Sequence, residues 1–216
     1  MLNISPSIAS ANQINLETIV RRLENMKIDN LHIDIEDGNF IPNITFGLRT
    51  IKNLREITDI PFSIHIMGYH PENYLHDLAE IGVDSITVNI EACNYPRKIL
   101  NMIKSLNIKA GFAINPKTPI EQILYMSDDI DMVLIMTAEP DCCGQLFIRK
   151  MLDKVEKLSR INHRKFKIWT DGGISKVELS DIYNAGADTV VLGREVFKDG
   201  KIEENIKSIN KVLSNL

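Results

Sequence analysis

An imidazole and a carboxylate stand two residues apart in the segment His32-Ile33-Asp34, within a run of β-branched residues. On a β-strand, residues two apart project from the same face, so the spacing predicts a paired polar site. A buried carboxylate without a partner is costly, so something cationic should offset Asp34, and a metal ion would suffice. A hydrogen-bonded core pair without a metal is the alternative interpretation of the same spacing.

Two further side chains of the same types stand where other predicted strands end. His65 can supply a second imidazole, and Asp171 can supply a second carboxylate. The carboxyl ends of parallel strands converge, so we expect these side chains to meet His32 and Asp34 at one point. Two imidazoles and two carboxylates suit Zn²⁺, Mn²⁺, Fe²⁺ or Co²⁺, and the sequence does not choose among these metals.

Glycines late in the chain indicate an anion site. Gly172-Gly173 follows the seventh predicted strand, Gly193 follows the eighth, and helical segments come next. Bare N–H groups and helix N-termini at such positions often bind phosphate in barrels, and Arg194 could add a bidentate contact. Paired glycines are also common in ordinary turns, but together with the metal ligands they suggest a phosphorylated substrate.

The elements that must position these residues alternate along the chain. Short β-branched runs recur at intervals of roughly 25 residues, and each is followed by apolar residues at helical spacing. Leu16, Ile19, Val20 and Leu23 form one such helical stripe. The eight predicted strands are 2–5, 30–34, 62–66, 85–89, 109–114, 132–136, 166–169 and 189–192.

Eight βα units in 216 residues predict a single (β/α)₈ TIM barrel that occupies the whole chain, 1–216. A doubly wound open sheet is the competing architecture, but it normally has fewer strands, and no G-x-G-x-x-G follows the first strand. In both architectures the chemistry gathers beyond the carboxyl ends of the strands.

Composition excludes several classes of function. The net charge is −4 and the lysines are scattered, which argues against nucleic acid as a partner. No apolar run approaches the ~20 residues needed to span a membrane, and no secretion signal is visible, so we expect a cytoplasmic protein. Three cysteines, of which Cys142 and Cys143 are adjacent, fit neither a disulfide framework nor a zinc knuckle. Reduced thiols are favoured over a strained disulfide between the adjacent pair.

Several motifs along almost the whole chain resemble the ribulose-phosphate 3-epimerase family. The longest is H-x-D-x-x-D-G-x-F-x-x-N-x-T, which matches residues 32–45. The other matching segments are Ser5-Pro6-Ser7 near the start, His65-Ile66-Met67, Asn115-Pro116-Lys117-Thr118-Pro119, Asp171-Gly172-Gly173-Ile174, and Gly186-Ala187-Asp188 followed by Gly193.

The resemblance implies a reaction and a role for each matching residue. It implies that His32, Asp34, His65 and Asp171 bind a catalytic divalent metal and that Asp34 and Asp171 are the acid/base pair. Inverting the carbon beside a ketone requires a proton to leave one face and another to arrive on the opposite face. The metal would stabilise the intervening cis-enediolate. The residues implied to contact the substrate are Ser7, Met67, Met136, Gly144, Gly172, Gly173, Gly193 and Arg194; without the resemblance, both methionines would be interpreted as core residues.

The chain departs from the family pattern at four places. Glu36 stands where methionine is common, and it could lie near the metal or substrate or simply face solvent. In the sixth loop the family's P-G-F-G-G-Q is replaced by Pro140-Asp141-Cys142-Cys143-Gly144-Gln145. Asp141 would repel a phosphate if it faced the site, and Arg194, which stands where the family often has a small residue after glycine, could compensate for this. Asn89 stands where histidine is common.

The leading hypothesis is therefore a metal-dependent 3-epimerase of a sugar phosphate, most economically interconverting D-ribulose 5-phosphate and D-xylulose 5-phosphate. A 3-epimerase of another ketose phosphate, such as D-allulose 6-phosphate, is the first alternative, because the departures lie where the substrate would be measured. A sugar-phosphate-binding regulatory protein without turnover is the second. Barrels of this family often self-associate, so a homo-oligomer is compatible with the resemblance.

Overall fold

Eight parallel strands form one sheet in the computed structural model, which describes residues 2–140, 145–162 and 165–216. The order in the sheet is β1-β8-β7-β6-β5-β4-β3-β2, and a parallel bridge between Ser7 and His32 joins the two edge strands. The described strands are β1 Asn3–Pro6, β2 Leu31–Glu36, β3 Phe62–Met67, β4 Ser85–Asn89, β5 Lys109–Ile114, β6 Met132–Met136, β7 Lys167–Asp171 and β8 Thr189–Leu192. The predicted (β/α)₈ TIM barrel is confirmed.

Amphipathic helices surround the sheet. The predicted stripe of α1 is buried against the strands at Leu16, Ile19, Val20 and Leu23. The described helices are α1 Leu16–Asn25, α2 Leu48–Arg55, α3 Leu75–Ile81, α4 Pro96–Ser105, α5 Glu121–Leu124, α6 Leu152–Asn162, α7 Leu179–Ala185, α8 Arg194–Phe197 and α9 Ile202–Leu213. Within the described residues, no helix combines the length and apolar character needed to cross a membrane.

Strand alternation separates two cores. Along β6, Val133 and Ile135 belong to the large core between sheet and helices, whereas Met132, Leu134 and Met136 belong to a second cluster with Trp169. Because neighbouring residues of a strand face opposite sides, the second cluster lies inside the barrel. An apolar interior thus lies beside the polar residues at the strand ends.

Carboxylates also cap the amino edge of the barrel. Asp84, Asp131 and Asp188 each precede a strand and accept a backbone N–H from its neighbour, at 2.8, 2.8 and 2.9 Å. In barrels, residues at this edge serve stability and those at the carboxyl edge serve chemistry. These aspartates therefore provide comparison positions for the carboxylates at the opposite edge.

Four strands extend beyond their predicted ends, β1 and β3 by one residue and β2 and β7 by two. β2 continues through Glu36, whose Cα pairs with that of Met67, and β7 continues through Asp171, which pairs with Met136. Ladder pairing with the neighbouring strands carries both elements past their β-branched runs. As a result, Glu36 stands on the same strand face as His32 and Asp34.

Candidate active site

The four predicted metal ligands lie together at the carboxyl edge of the barrel. His32 Nε2 and His65 Nδ1 each lie 3.3 Å from Asp34 Oδ1, and His32 Nε2 lies 3.9 Å from Asp171 Oδ2. One donor atom from each of the four side chains falls within 4.8 Å of the others. Residues from three strands that are distant in sequence therefore share one centre.

Strand register explains this convergence. His32 and Asp34 share a face of β2, and Asp34 is the Cα partner of His65 on β3. Asp171 ends β7 on the far side of the barrel, so it approaches the group across the interior. The ring of Trp169, also on β7, lies 6.4 Å from that of His32 and provides an apolar wall.

Several buried atoms of this group that could bind a metal have no hydrogen-bond partner among the described residues. Both ring nitrogens of His32, Oδ1 of Asp34 and Nδ1 of His65 are buried and unpaired. Buried polar atoms are normally paired, because each one left unsatisfied costs free energy. A divalent cation would satisfy such a set of imidazole nitrogens and carboxylate oxygens, so the residues fit a metal site.

The pKa values of the two carboxyl groups move in opposite directions. Burial alone would raise the pKa of Asp34, but the adjacent His32 outweighs it and holds that pKa well below its usual range. Burial, followed by the negative charge of Asp34, raises the pKa of Asp171 to about 6. Carboxyl groups separated in this way are typical of acid/base pairs.

A cavity of about 210 Å³ opens above the ligand group. It is lined by the following residues that the sequence singled out: Ser7, Asp34, Glu36, Met67, Met136, Asp171, Gly172, Gly173, Gly193 and Arg194. His32 and His65 are fully buried beneath it. The remaining two candidates, Gly144 and Asp141, lie outside the described residues, as do Cys142 and Cys143.

Ser7 contacts the carboxylate of Asp34 directly. It follows β1 and caps a short 3₁₀ helix, Ile8–Ser10, and its hydroxyl donates to Asp34 Oδ2 at 2.6 Å. Both side chains line the cavity. The substrate contact implied for Ser7 is thus combined with a hydrogen bond that orients Asp34.

Glu36 lines the cavity as a half-buried side chain, which favours the interpretation that places it near the site. Asn43 Nδ2 donates to its Oε2 at 2.5 Å. Burial and the nearby charge of Asp34 raise the pKa of Glu36 to about 7. The cavity therefore contains a third carboxyl group besides those of Asp34 and Asp171, and its pKa of about 7 lies near neutral pH.

The late glycines form the opposite wall of the cavity. Gly172 and Gly173 have φ angles of 112° and 69°, and a Cβ on Gly173 would lie 2.5 Å from the backbone nitrogen of Phe147. Only glycine fits such a conformation at that distance. Arg194, the first residue of α8, donates to the carbonyl oxygen of Gln145 and lines the same wall.

The sequence analysis noted Asn89 only as a departure from the family pattern, and it did not predict the polar group that lies behind His65. Asn89 is completely buried and its Oδ1 lies 3.0 Å from His65 Nε2. Glu91 and Asn115 surround the amide of Asn89. The sequence signal that could have identified Asn89 was a polar residue at the end of a predicted strand, which is also where the metal ligands lie.

Fold and cavity together define a (β/α)₈-barrel protein with a polar pocket at the carboxyl edge. A model described as the ribulose-phosphate 3 epimerase family matches residues 3–197. A ribulose-phosphate 3-epimerase of Bacillus subtilis is 35% identical over 213 residues, covering 97% of this chain and 98% of the relative. A chloroplastic ribulose-5-phosphate-3-epimerase of Arabidopsis thaliana is 37% identical over 211 residues, covering 95% of this chain and 75% of the relative. The chain therefore belongs to the ribulose-phosphate 3-epimerase family and is an isomerase.

Solved structures with the same fold include a mutant tryptophan synthase alpha-subunit from Pyrococcus furiosus. It superimposes with a TM-score of 0.71, covers 99% of this chain and 97% of that chain, and is 16% identical. At this identity the likeness concerns the fold alone.

Proposed function

We propose that this chain interconverts D-ribulose 5-phosphate and D-xylulose 5-phosphate by inverting C3. The observation that carries the proposal is that Asp34 on β2 and Asp171 on β7 line one cavity and both approach Nε2 of His32. The family membership and the names of the relatives supply the reaction class.

Inversion requires two groups because the proton must leave and return on opposite faces of C3. One carboxylate accepts the C3 proton, and the carboxylic acid across the cavity donates its own proton to the other face. The sugar neither gains nor loses a proton, while Asp34 and Asp171 exchange protonation states. The opposite pKa shifts of the two groups support a starting state with one base and one acid.

His32, Asp34, His65 and Asp171 would hold the divalent metal. When bound there, such an ion stabilises negative charge that develops on substrate oxygens as C3 is deprotonated. The unpaired buried donor atoms support this ligand assignment. Ser7 restricts Asp34 by holding Oδ2, so Oδ1 stays directed at the two histidines.

The phosphate of the substrate would bind at the glycine wall. Gly172, Gly173 and Gly193 let backbone N–H groups approach an anion, and Arg194 adds a positive charge on that side. Gly144, which the family resemblance implies to contact the substrate, lies outside the described residues. Met67 and Met136, both buried, would contact the carbon chain of the sugar.

The test combines metal analysis with NMR of D-ribulose 5-phosphate incubated in heavy water. Wild-type protein should form D-xylulose 5-phosphate and incorporate deuterium at C3. Asp34→Asn and Asp171→Asn should each slow both processes by about 100- to 10,000-fold, the usual contribution of an acid/base group. Asp188→Asn, which alters a carboxylate at the amino edge, should leave both unchanged. Full exchange in both site variants would refute the mechanism.

Glu36 favours a second candidate, a 3-epimerase of another ketose phosphate. It adds a carboxyl group to the cavity where the family commonly has methionine, and a carboxylate can accept hydrogen bonds from extra sugar hydroxyls. Comparing kcat/KM across a panel that includes D-allulose 6-phosphate would decide between the two substrates. Binding of these sugars without any C3 inversion would indicate a regulatory protein instead.

A further inference from the structure

A buried chain of hydrogen bonds lies behind His65, on the side opposite Asp34. Asn89 Oδ1 lies 3.0 Å from His65 Nε2. Asn89 Nδ2 lies 3.3 Å from Glu91 Oε2 and 3.2 Å from Asn115 Oδ1. Glu91 Oε1 in turn accepts the backbone N–H of Asn115 at 2.9 Å. Because Asn89 and Asn115 are buried, water has little access to compete for these bonds.

The chemistry of Glu91 sets the direction of this chain. A carboxylate only accepts hydrogen bonds, so the amide of Asn89 must turn its NH₂ group towards Glu91. The carbonyl oxygen of Asn89 then faces His65, and an oxygen acceptor requires a hydrogen on Nε2. The Nε2–H tautomer of His65 follows from these bonding rules.

The other ring nitrogen of His65 is therefore left as an acceptor when the ring is neutral. Nδ1 lies 3.3 Å from Asp34 Oδ1, and neither atom has a hydrogen-bond partner in the part of the chain that the structure describes. Two acceptors facing each other repel, and a cation between them removes the repulsion. The chain of hydrogen bonds therefore leaves the lone pair of His65 Nδ1 available to bind a metal ion.

Lys154 fixes the far end of the chain. Its ammonium group donates to three carbonyl oxygens of the loop after β5, those of Asn115 at 3.0 Å, Pro116 at 2.8 Å and Thr118 at 2.6 Å. The loop holds the backbone of Asn115 against Glu91, and Lys154 lies within electrostatic range of Glu91. The orientation of Asn89 therefore rests on a rigid support.

We infer that Asn89 is a positioning residue that, oriented by Glu91, holds His65 in the Nε2–H tautomer and reserves Nδ1 for the divalent cation. This inference rests on the metal site of the proposed function, but not on the identity of the sugar. Partners of this kind behind a ligating histidine typically contribute 10- to 100-fold to metal affinity.

The first test needs no variant. Nitrogen-15 NMR of His65 in metal-free wild-type protein, at a pH where its ring is neutral, should show the hydrogen on Nε2. A neutral ring with the hydrogen on Nδ1, or an equal mixture of both forms, would overturn the inference.

The second test uses Glu91→Gln, because a glutamine amide can also donate and so lets Asn89 turn around. We expect a mixture of His65 tautomers and a Zn²⁺ affinity about 10- to 100-fold weaker in titration calorimetry. Thr87→Val is the matched control, since it removes a buried hydroxyl from the same strand whose hydrogen bond goes to Met132 Sδ. It should leave both readouts unchanged.

The outcomes separate the two proposals. A wild-type tautomer and Zn²⁺ affinity in Glu91→Gln would refute the positioning role whatever the enzymatic activity. Tight Zn²⁺ binding and the Nε2–H tautomer without inversion of any ketose phosphate would instead refute the proposed function and leave this inference standing.

Discussion

The hydroxyl group of Ser7 donates to Asp34 Oδ2 at 2.6 Å, and it thereby links the end of β1 to the centre of the site. The other oxygen of the carboxylate, Oδ1, faces His32 and His65 at 3.3 Å each. One oxygen of Asp34 is therefore held by the hydrogen bond from Ser7, and the other faces the proposed metal position.

We predict that Ser7→Ala lowers kcat/KM by about 10- to 100-fold, because a hydrogen bond to a charged group is worth roughly 1.5–3 kcal/mol. The comparison is Ser63→Ala, since Ser63 is also buried in the barrel but its hydroxyl has no hydrogen-bond partner within residues 2–140, 145–162 and 165–216. That variant should keep wild-type activity and stability. Equal losses in the two variants would mean that Ser7 acts only through packing.

Local patterns determined how much of this site could be predicted from sequence. The alternation around His32 and Asp34 is a property of one strand, so the shared face of these two side chains was predictable. Their meeting with His65 and Asp171 was predictable because the carboxyl ends of parallel strands converge. The contact of Asn89 with His65 depends instead on two strands meeting, and a single asparagine carries no periodic signal. The end of β2 was missed for the same reason, because pairing of Glu36 with Met67 extends it.

Glu36 should make the stability of the metal-free protein depend on pH. Its pKa is raised from 4.5 to about 7, so the folded chain retains a proton that the unfolded chain releases in that range. The free energy of unfolding contributed by this residue therefore decreases as pH rises from about 4.5 to about 7. Glu36→Gln should remove this decrease and become more stable relative to wild type across the range.

Urea unfolding of EDTA-treated protein at several pH values measures this difference. Glu17→Gln on the exposed face of α1 is the control for the loss of one negative charge. If the stability of Glu36→Gln ran parallel to that of wild type, then Glu36 would not carry the shifted pKa.

Asp37 should act in the opposite direction at lower pH. Burial opposes its ionisation, but the N–H groups of Asn39, Phe40 and Tyr69 donate to its carboxylate at 2.8, 2.8 and 2.9 Å and lower its pKa. Its stabilisation is present above the ordinary pKa of 3.8 and is lost as pH falls through the folded value.

Asp37→Asn should therefore have a lower urea midpoint than wild type at neutral pH, because an amide has only one acceptor oxygen for these donors. The difference should shrink as pH falls below the ordinary pKa of 3.8, where the unfolded chain takes up the proton first, and it should be smallest once the folded carboxylate is protonated as well. A difference that stayed constant down to strongly acidic pH would show that the ionised form has no special role.

The glycine wall can be tested by separating two costs of adding a side chain, that of the left-handed backbone conformation and that of a steric clash. Gly173 and Gly82 both have positive φ angles, 69° and 84°, but only Gly173 has backbone atoms within 3 Å of an added Cβ. Gly82→Ala should cost about 1–2 kcal/mol for the left-handed conformation alone. Gly173→Ala should cost more, because its Cβ would displace the backbone of Phe147.

The same substitution should change substrate binding. Displacing the loop at Phe147 would move Gly173 away from the proposed phosphate position, so KM for D-ribulose 5-phosphate should rise more than kcat falls. Gly82 ends α3 and does not line the cavity, so Gly82→Ala should leave KM unchanged. Equal losses of stability in the two variants would show that Gly173 is not required for steric reasons. Identical KM values would show that the glycine wall does not bind the phosphate.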